Sequence, residues 1–305
     1  MTWLVSRLVH FAIVMWGVTT LVFIALRLTG DPALMLLPAD PTMEEIQLTR
    51  QKLGIDQPLL VQYVRFFLNA FRGDFGISFR HGVDATSVVL ERLPASAALA
   101  GVALLLSALL AVPMGVLAAV YRGTPIDLGI MGLAVIGQGV PFFWLGLMLI
   151  LIFGVELGVL PTGGYGTLEH FILPSLTLAG YIMASTARLA RSSMLEVLDR
   201  DYMQTAHAKG LSPAVVVLKH GLRNAGIPVV TFLGIQMGLL LGGTVVVEEI
   251  FGWPGVGRLL LQSISFRDYP VVQAATFILA MAFVLVNFTV DLLYAVLDPR
   301  IRSHR

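Results

Sequence analysis

Long apolar stretches alternate with short polar segments along the whole chain. A membrane-spanning helix needs about 20 mostly apolar residues, and six stretches reach that length: residues 8–28, 95–120, 128–154, 171–190, 225–248 and 270–297. None of them alternates apolar and polar positions as the strands of a membrane barrel do. The pattern therefore predicts an all-α, polytopic membrane protein with six transmembrane helices.

The first span could instead be a cleaved signal peptide. Its apolar run is longer than the core of a signal peptide, and the residues from Arg27 to Gly30 make a poor cleavage site. We therefore expect the first span to be a permanent helix.

Composition excludes several classes of protein. Only 13% of the 305 residues are charged and 57% are hydrophobic, whereas a soluble domain has roughly 25% charged residues. These values exclude a soluble enzyme and a disordered chain, and the net charge of +1 gives no basic field for a nucleic acid. The chain has no cysteine, which excludes disulfides, thiolate chemistry and cysteine-ligated zinc.

The distribution of basic residues predicts the orientation, because lysine and arginine accumulate in cytoplasmic loops. An internal N-terminus places most of them in the cytoplasm, including Arg122, Arg188, Arg191, Lys209 and Lys219. The opposite side then holds the loop 155–170, which has no basic residue, and the acidic segment 29–94. We expect both termini to be cytoplasmic.

This topology divides the chain into four parts. They are a first transmembrane helix (1–28), an external segment with short helices (29–94), a transmembrane core (95–299) that includes a cytoplasmic loop (196–224), and a cytoplasmic tail (300–305).

The external segment contains two predicted helices. Thr42 and Glu45 form a capping-box pattern before a helix that ends near Gly54, and a second helix begins near Pro58. One face of the second helix carries an aromatic stripe of Tyr63, Phe66, Phe67, Ala70 and Phe71. The stripe either packs on the outer ends of the spans or forms an interfacial helix or docking surface.

Motifs for catalysis are missing. The sequence has no phosphate-binding G-x-x-x-x-G-K-[ST] loop, no H-E-x-x-H and no G-x-S-x-G, and its six histidines are scattered. We therefore expect no catalytic residue, no metal site and no cofactor bound by this chain.

Few polar residues lie within the spans, and they are candidates for a transport pathway or for structural contacts: Gln138, Gln236, Asn287 and Asp291. An intramembrane carboxylate is a functional candidate because it is costly to bury in lipid. For Asp291 a structural partnership with a neighbouring helix or arginine is the alternative.

The cytoplasmic loop has an unusual local pattern from Asp201 to Pro213. Small residues at Ala206 and Ala208 would leave a helix surface that another protein can approach closely. Gly210 is suited to end that helix in the left-handed conformation, and Ser212 with Pro213 is suited to begin the next one. The pattern predicts a helix, a sharp turn and a second helix, with Lys209 at the turn. On local sequence alone, the alternative is a tight cytoplasmic loop without a partner.

The residues Gln204–Gly210 carry a resemblance to a known family. The chain resembles permease subunits of ATP-binding-cassette importers of the dipeptide/oligopeptide/nickel family, whose cytoplasmic loop follows the pattern E-A-A-x-x-x-G. Thr205, Ala206, Ala208, Lys209 and Gly210 match the form usual in that family. His207 stands where arginine is common, and Gln204 stands where glutamate is general.

Further segments support the resemblance almost end to end. They are Gly30–Pro32, Gly73–Ser78, Arg191–Leu198, His220–Asn224, Trp253–Arg258, Arg267–Pro270 and Asp298–Arg302. The large external segment after the first span resembles the B-type half of the permease pair.

The resemblance implies a type I importer permease fold, a place in the bacterial inner membrane and a set of partners. These would be a second homologous permease, two ATPase subunits that hold ATP and Mg²⁺, and an external solute-binding protein. The implied ATPase-coupling residues are Asp201, Tyr202, Gln204, Thr205, Ala206, His207, Ala208, Lys209 and Gly210. Di- or oligopeptides are the expected cargo, with a nickel chelate, glutathione or another small solute as alternatives.

Glycine and proline predict local irregularity in the spans. Pro113 and the segment Gly137–Pro141 should bend or unwind their helices, while Gly238, Gly242 and Gly243 suit either close helix packing or a pore lining.

Two other classes of protein remain as rivals. A stand-alone secondary transporter would show inverted repeats and intramembrane ionisable pairs, and an intramembrane enzyme would show convergent catalytic groups. The sequence shows none of these features.

Overall fold

The computed structural model describes residues 2–28, 32–35, 37 and 40–297. This part of the chain is helical, and its one β-bridge is an isolated pair between Ile77 and Asp84, so the all-α prediction is confirmed. Two short π-helical segments, Ile150–Glu156 and Val216–Gly221, interrupt the α-helices. The α-helices are α1 (Thr2–Leu28), α2 (Met43–Leu53), α3 (Leu59–Arg72), α4 (Ala85–Val120), α5 (Pro125–Gly139), α6 (Phe142–Leu149), α7 (Glu169–Leu198), α8 (Asp201–Ala208), α9 (Pro213–Val215), α10 (Leu222–Gly243), α11 (Val245–Ile250), α12 (Val256–Ser265) and α13 (Tyr269–Leu297).

The predicted six spans are only partly recovered. Among the described residues, three helical stretches are long and apolar enough to cross a membrane: Val9–Leu28, Ala85–Val120 and Tyr269–Val290. The bent pair of α5 with 142–156 would be a fourth. Helices α7 and α10 do form over the predicted spans 171–190 and 225–248, but α7 carries buried hydroxyl residues such as Ser175, Thr177 and Thr186 that lower its hydropathy. The described helices therefore do not establish a count of six.

The predicted break at Gly137–Pro141 is confirmed. Helix α5 ends at Gly139, Val140 is extended (φ −84°, ψ 123°), and the two halves of the span meet at 103°. Proline disfavours a helical conformation in the residue before it, which explains why the chain leaves the helix at Val140. At Pro113, in contrast, α4 continues without unwinding, although an interior proline removes one hydrogen bond of the helix.

Helix α4 begins ten residues earlier than the predicted span at 95. Asp84 caps its first turn, since its Oδ2 accepts a hydrogen bond of 2.8 Å from the backbone N–H of Ser87. An aspartate in this position stabilises a helix start. The last ten residues of the predicted external segment 29–94 therefore belong to a long membrane helix.

The described chain forms two compact units. Unit 1 comprises residues 1–96 and 254–284, and unit 2 comprises 97–253 and 285–305. The core of unit 1 joins α1, α3, α4, α12 and α13 through buried apolar side chains, among them Met15, Ala70, Val89, Val256 and Ala274.

The two helices of the segment 29–94 begin where the sequence predicts, and the first also ends there. Thr42 and Glu45 make the reciprocal hydrogen bonds of a capping box, and Gly54 ends α2 in the left-handed conformation. The backbone N–H of Thr42 donates to Glu45 Oε2 at 2.8 Å, and this bond lowers the pKa of the Glu45 carboxyl. Pro58 precedes the first residue of α3.

The aromatic stripe of α3 packs mainly on α1. The ring of Phe23 contacts those of Tyr63 and Phe66 at centroid distances of 5.4 and 5.7 Å, and the hydroxyl groups of Thr20 and Tyr63 lie 2.7 Å apart. Phe66 and Ala70 also join the core of unit 1. The packing alternative therefore holds for Tyr63, Phe66 and Ala70, whereas Phe71 at the end of the stripe stays 56% exposed.

In unit 2, α7 is the helix on which α5, α6 and α10 pack. Close approach is possible because small residues lie at the contacts. A Cβ added to Gly115 of α4 would lie 2.5 Å from the carbonyl oxygen of Ala187 and 2.6 Å from the Cβ of Ala190. Trp253 is completely buried and meets the rings of Tyr165 and Phe171 edge to face.

Candidate functional site

The loop predicted to contact a partner folds as a helix, a sharp turn and a second helix. After α7 ends at Leu198, α8 runs from Asp201 to Ala208, and α9 starts at Pro213. Lys209 lies at the turn between them. This is the local structure that the sequence predicts.

Gly210 produces the turn. Its φ is +77°, and its N–H donates to the carbonyl oxygen of His207 at 2.9 Å, while the N–H of Leu211 donates to that of Ala206 at 3.4 Å. These two bonds are those of a Schellman motif, which satisfies the last carbonyls of a helix and usually needs glycine at this position. No atom lies within 4 Å of a Cβ built on Gly210, so the backbone conformation alone sets the requirement for glycine.

Ser212 and Pro213 begin the next helix as predicted. Ser212 is extended (φ −62°, ψ 147°), and Pro213 occupies the first turn, where a missing N–H costs nothing. The backbone carbonyl of Ser212, and not its side chain, accepts a bond from Val216 at 3.0 Å.

A small apolar core holds this loop together. Met203, Ala206 and Val216 are buried, and Val197 and Leu198 pack against them. The prediction that Ala206 forms part of an approachable surface is therefore wrong. Met203 and Ala206 lie three positions apart on one face of α8, and Val216 covers that face. Of the two alanines, Ala208 alone lies on the outer surface.

The outer surface of α8 and the turn carries most of the predicted coupling residues. The exposed members are Asp201, Tyr202, Gln204, Thr205, His207, Ala208, Lys209 and Gly210. Tyr202 is tied to α10, because its hydroxyl oxygen accepts a hydrogen bond of 3.1 Å from Nδ2 of Asn224. The surface is thus anchored to the helix that follows the loop.

The structure has an ion pair near this loop whose two residues are not among the candidates predicted from the sequence. Arg191 of α7 donates from Nε to Oδ1 of Asp127 at 2.6 Å and from Nη2 to Oδ2 at 2.7 Å. Asp127 is buried and also accepts from the N–H of Gly123 at 2.9 Å. The pair fastens the start of α5 and the loop before it to α7, ten positions before α8.

Local sequence offers a weak signal for this pair. Asp127 stands in the first turn of an apolar helix that begins at Pro125, where a carboxylate is common because it faces the positive end of the helix. Its partner lies 64 positions away, and no spacing rule connects the two.

The predicted intramembrane polar residues occupy separate places in unit 2. Gln138 donates from Nε2 to the hydroxyl of Ser185 at 2.6 Å, so it ties α5 to α7 just before the break. Gln236 is buried in α10. Asn287 of α13 lies against Gly238, whose Cβ would be 2.8 Å from the amide nitrogen. The side chain of Asp291 lies outside the described part of the structure.

The candidate glycines differ in their surroundings. Gly238 packs against Asn287, whereas a Cβ on Gly242 or Gly139 would meet no atom within 4 Å. Close packing therefore explains Gly238 but not the other two. Gly243 has no described side-chain surroundings. Within the described residues no group of three or more His, Asp or Glu side chains is placed to hold a metal ion.

Two family models match almost the whole chain. One, described as "Binding-protein-dependent transport system inner membrane component", matches residues 111–303, and its N-terminal counterpart matches residues 1–100.

Relatives of similar length are also membrane components of transport systems. The chain is 44% identical over 303 residues to the glutathione transport system permease protein GsiC of Escherichia coli K12, with 99% of each chain covered. It is 43% identical to the protein of that name from Shigella boydii serotype 4, over the same extent.

Solved structures with low sequence identity share the fold. An inward-facing form of the MetNI methionine ABC transporter matches with a TM-score of 0.57 at 20% identity, covering 69% of this chain and 96% of that one. An amino acid ABC transporter solved with histidines matches with a TM-score of 0.51, also at 20% identity, over 70% and 94% of the two chains.

Proposed function

The chain belongs to the family of binding-protein-dependent transport system inner membrane components, and we propose that its α8 and the Gly210 turn transmit the work of ATPase subunits to the membrane helices. The protein is a multi-pass permease of an ATP-binding-cassette importer. The observation that carries the coupling proposal is the helix α8, which ends at a glycine turn and exposes one side. Its other side packs on the small apolar core of Met203, Ala206 and Val216.

This packing explains how a force on the loop would reach the membrane. Met203 and Val216 fix α8 to the following segment, and Asn224 links Tyr202 to α10. On the other side of the loop, α7 is held to α5 by the pair of Arg191 and Asp127. A push on α8 would therefore displace α7 and α10 as packed elements, which is the behaviour required of a two-state switch.

The division of labour within the importer follows from what this chain lacks. It has no phosphate-binding loop, so ATP and Mg²⁺ would bind two separate ATPase subunits, and this chain would have no catalysis of its own. A second permease would complete the pathway, and an external binding protein would deliver the cargo. The family description names dependence on a binding protein, which supports that last partner.

The orientation belongs to the same proposal. Both termini and the 196–224 loop would lie in the cytoplasm, where the ATPase subunits are. A reporter that is active only outside the cytoplasm should be active when fused after Ser78 and silent when fused after Leu211. The opposite pattern would refute the assignment of α8 as an ATPase contact.

We propose small peptides as the cargo, with glutathione, itself a tripeptide, as the first compound to test. Support comes from the similar glutathione transport system permease proteins, which match from end to end. Di- and oligopeptides remain within the proposed class. The chain supplies polar groups at membrane depth, such as Gln138 with Ser185, which could contact a peptide.

Uptake by the reconstituted importer tests this proposal. The permease pair and its ATPase subunits are assembled in vesicles with ATP inside, and labelled glutathione or a labelled dipeptide is added outside together with the binding protein. ATP-dependent glutathione uptake that excess dipeptide does not inhibit would support glutathione, and dipeptide uptake alone would support the wider peptide class. Uptake without the binding protein or without ATP would contradict the assignment to this type of importer.

A further inference from the structure

Helix α3 carries two apolar faces, and only one of them is covered. The packed face holds Tyr63, Phe66 and Ala70, which contact α1 or the core of unit 1. The other face, here called the bare face, consists of Leu60, Val64 and Leu68 and is bordered by Phe71, which is exposed on this side although its ring also meets that of Phe277. The side chains of these four residues of α3 are exposed by 74%, 48%, 52% and 56%, and they recur at i, i+4, i+8 and i+11 along one side of the helix.

The contacts of α3 lie well inside the apolar stretches of its neighbours. Tyr63 meets Thr20 of α1, which lies eight positions before Leu28, or about 12 Å from the end of that helix. The ring of Phe71 meets that of Phe277 of α13 at a centroid distance of 6.2 Å. Phe277 lies eight positions after Tyr269, which is again about 12 Å from the helix end. Both contacts fall within stretches apolar enough to cross a membrane, so α3 lies across two such stretches at a similar distance from their ends.

The end of α1 that α3 contacts also exposes apolar side chains. Leu21, Ile24 and Leu28 are strongly exposed on the same end of α1 that α3 contacts, and they belong to the candidate span Val9–Leu28. A membrane span exposes such side chains to lipid tails. A helix packed beside them, with its own bare apolar face, meets the same surroundings.

The polar residues of α3 lie on its remaining side. Arg65, Asn69 and Arg72 cluster between the two apolar faces, and α3 has no acidic residue. A wide apolar surface with basic residues along one edge is the pattern of a helix that lies in the membrane interface, where arginines reach phosphate headgroups.

We infer that α3 is an interfacial helix whose bare face is embedded in the lipid of the outer leaflet, and that it does not project into water as part of a soluble external domain. The occupant of the bare face is lipid acyl chains, and the arginine edge contacts lipid phosphates. The choice of the outer leaflet rests on the proposed orientation, whereas the embedding of the bare face in lipid depends neither on the cargo nor on the coupling mechanism.

The absence of cysteine makes a direct test possible. Single-cysteine variants Val64→Cys and Leu68→Cys of the full chain, co-purified with its partner subunits, are labelled with an environment-sensitive fluorophore. They are then reconstituted in vesicles of phosphatidylethanolamine and phosphatidylglycerol. Leu21→Cys on α1 is the lipid-exposed control, and Gln47→Cys on the exposed side of α2 is the water-exposed control.

The lipid assignment predicts a specific combination of results. Probes at Val64 and Leu68 should emit at the shorter wavelengths of the Leu21 probe and should lose as much fluorescence as that probe does when the vesicles contain lipids brominated on the acyl chains. A membrane-impermeant maleimide should react with Gln47→Cys much faster than with either bare-face cysteine.

Two other outcomes would overturn the inference. Fast maleimide reaction without bromine quenching would mean that the bare face is in water and available to a soluble partner. Protection from both reagents in the complete importer would mean that protein covers it, and the second permease would be the occupant. Two bare-face positions are used so that one poorly folding variant does not decide the result.

Discussion

Ser78 donates a hydrogen bond of 2.5 Å from its hydroxyl to Oδ2 of Asp268, although 190 positions separate the two residues. The backbone N–H groups of Phe79 and Arg80 donate to the same carboxylate at 3.0 and 3.3 Å. Asp268 is almost completely buried, and a buried carboxylate is stable only when donors surround it. These bonds fix the loop after α3 to the start of α13.

The first prediction concerns this carboxylate. Asp268→Ala leaves the donors of Ser78, Phe79 and Arg80 without their acceptor, and each bond to a charged group is worth about 1.5–3 kcal/mol. We expect the detergent-extracted protein to lose its folded form at a clearly lower temperature. Ser78→Ala removes only one donor and should lower that temperature much less. Equal midpoints for the two variants would show that the backbone donors contribute nothing.

The second prediction concerns the turn after α8. Gly210→Val should leave the protein in the membrane but abolish uptake, because a left-handed conformation costs a β-branched residue roughly 1–2 kcal/mol or more. No atom lies within 4 Å of the added Cβ, so the expected cause is backbone strain. Gly210→Asn is the matched control, since asparagine tolerates this conformation and should keep most of the uptake. Normal uptake and normal ATPase co-purification in Gly210→Val would refute the role of the turn.

The third prediction concerns the ion pair behind the loop. Arg191→Gln leaves the buried carboxylate of Asp127 without its bidentate partner, and breaking such a pair costs about 3–5 kcal/mol when both groups are buried. Because Arg191 is 26% exposed, a smaller loss is expected here. The amount of folded protein should fall, and the ATPase activity of the assembled importer should respond less to the binding protein.

A double substitution separates charge from shape at this site. Asp127→Asn combined with Arg191→Gln removes both charges and keeps hydrogen-bonding groups, so the double variant should be more stable than Arg191→Gln alone. If the effects of the two single substitutions simply add, the side chains do not act as a pair.

The features that sequence alone predicted are those with local causes. The capping box at Thr42, the glycine turns at Gly54 and Gly210, and the break before Pro141 each depend on a few adjacent residues. Their backbone preferences are strong enough to decide the structure before any tertiary contact forms.

The features that sequence did not predict depend on distant partners. Asp127 and Arg191, like Ser78 and Asp268, meet only because the helices between them pack. The prediction for Ala206 was wrong because it also depends on a tertiary contact. Val216 covers one face of α8, and the composition of α8 does not reveal which face that is. The start of α4 was missed because Glu91 and Arg92 mask an apolar pattern that begins at Ala85.

The last prediction concerns the close approach of α4 to α7 at Gly115. A Cβ on Gly115 would lie 2.5 Å from a backbone oxygen of α7, and backbone cannot move aside as a flexible side chain can. Gly115→Ala should therefore push the helices apart and reduce the amount of folded protein, although alanine favours a helix over glycine by about 1 kcal/mol. Gly101 lies in the same helix with no atom within 4 Å of its Cβ, so Gly101→Ala should be neutral or slightly stabilising. Thermal unfolding of both purified variants in one detergent compares them directly, and a Gly115→Ala variant as stable as Gly101→Ala would show that α4 and α7 can separate at little cost.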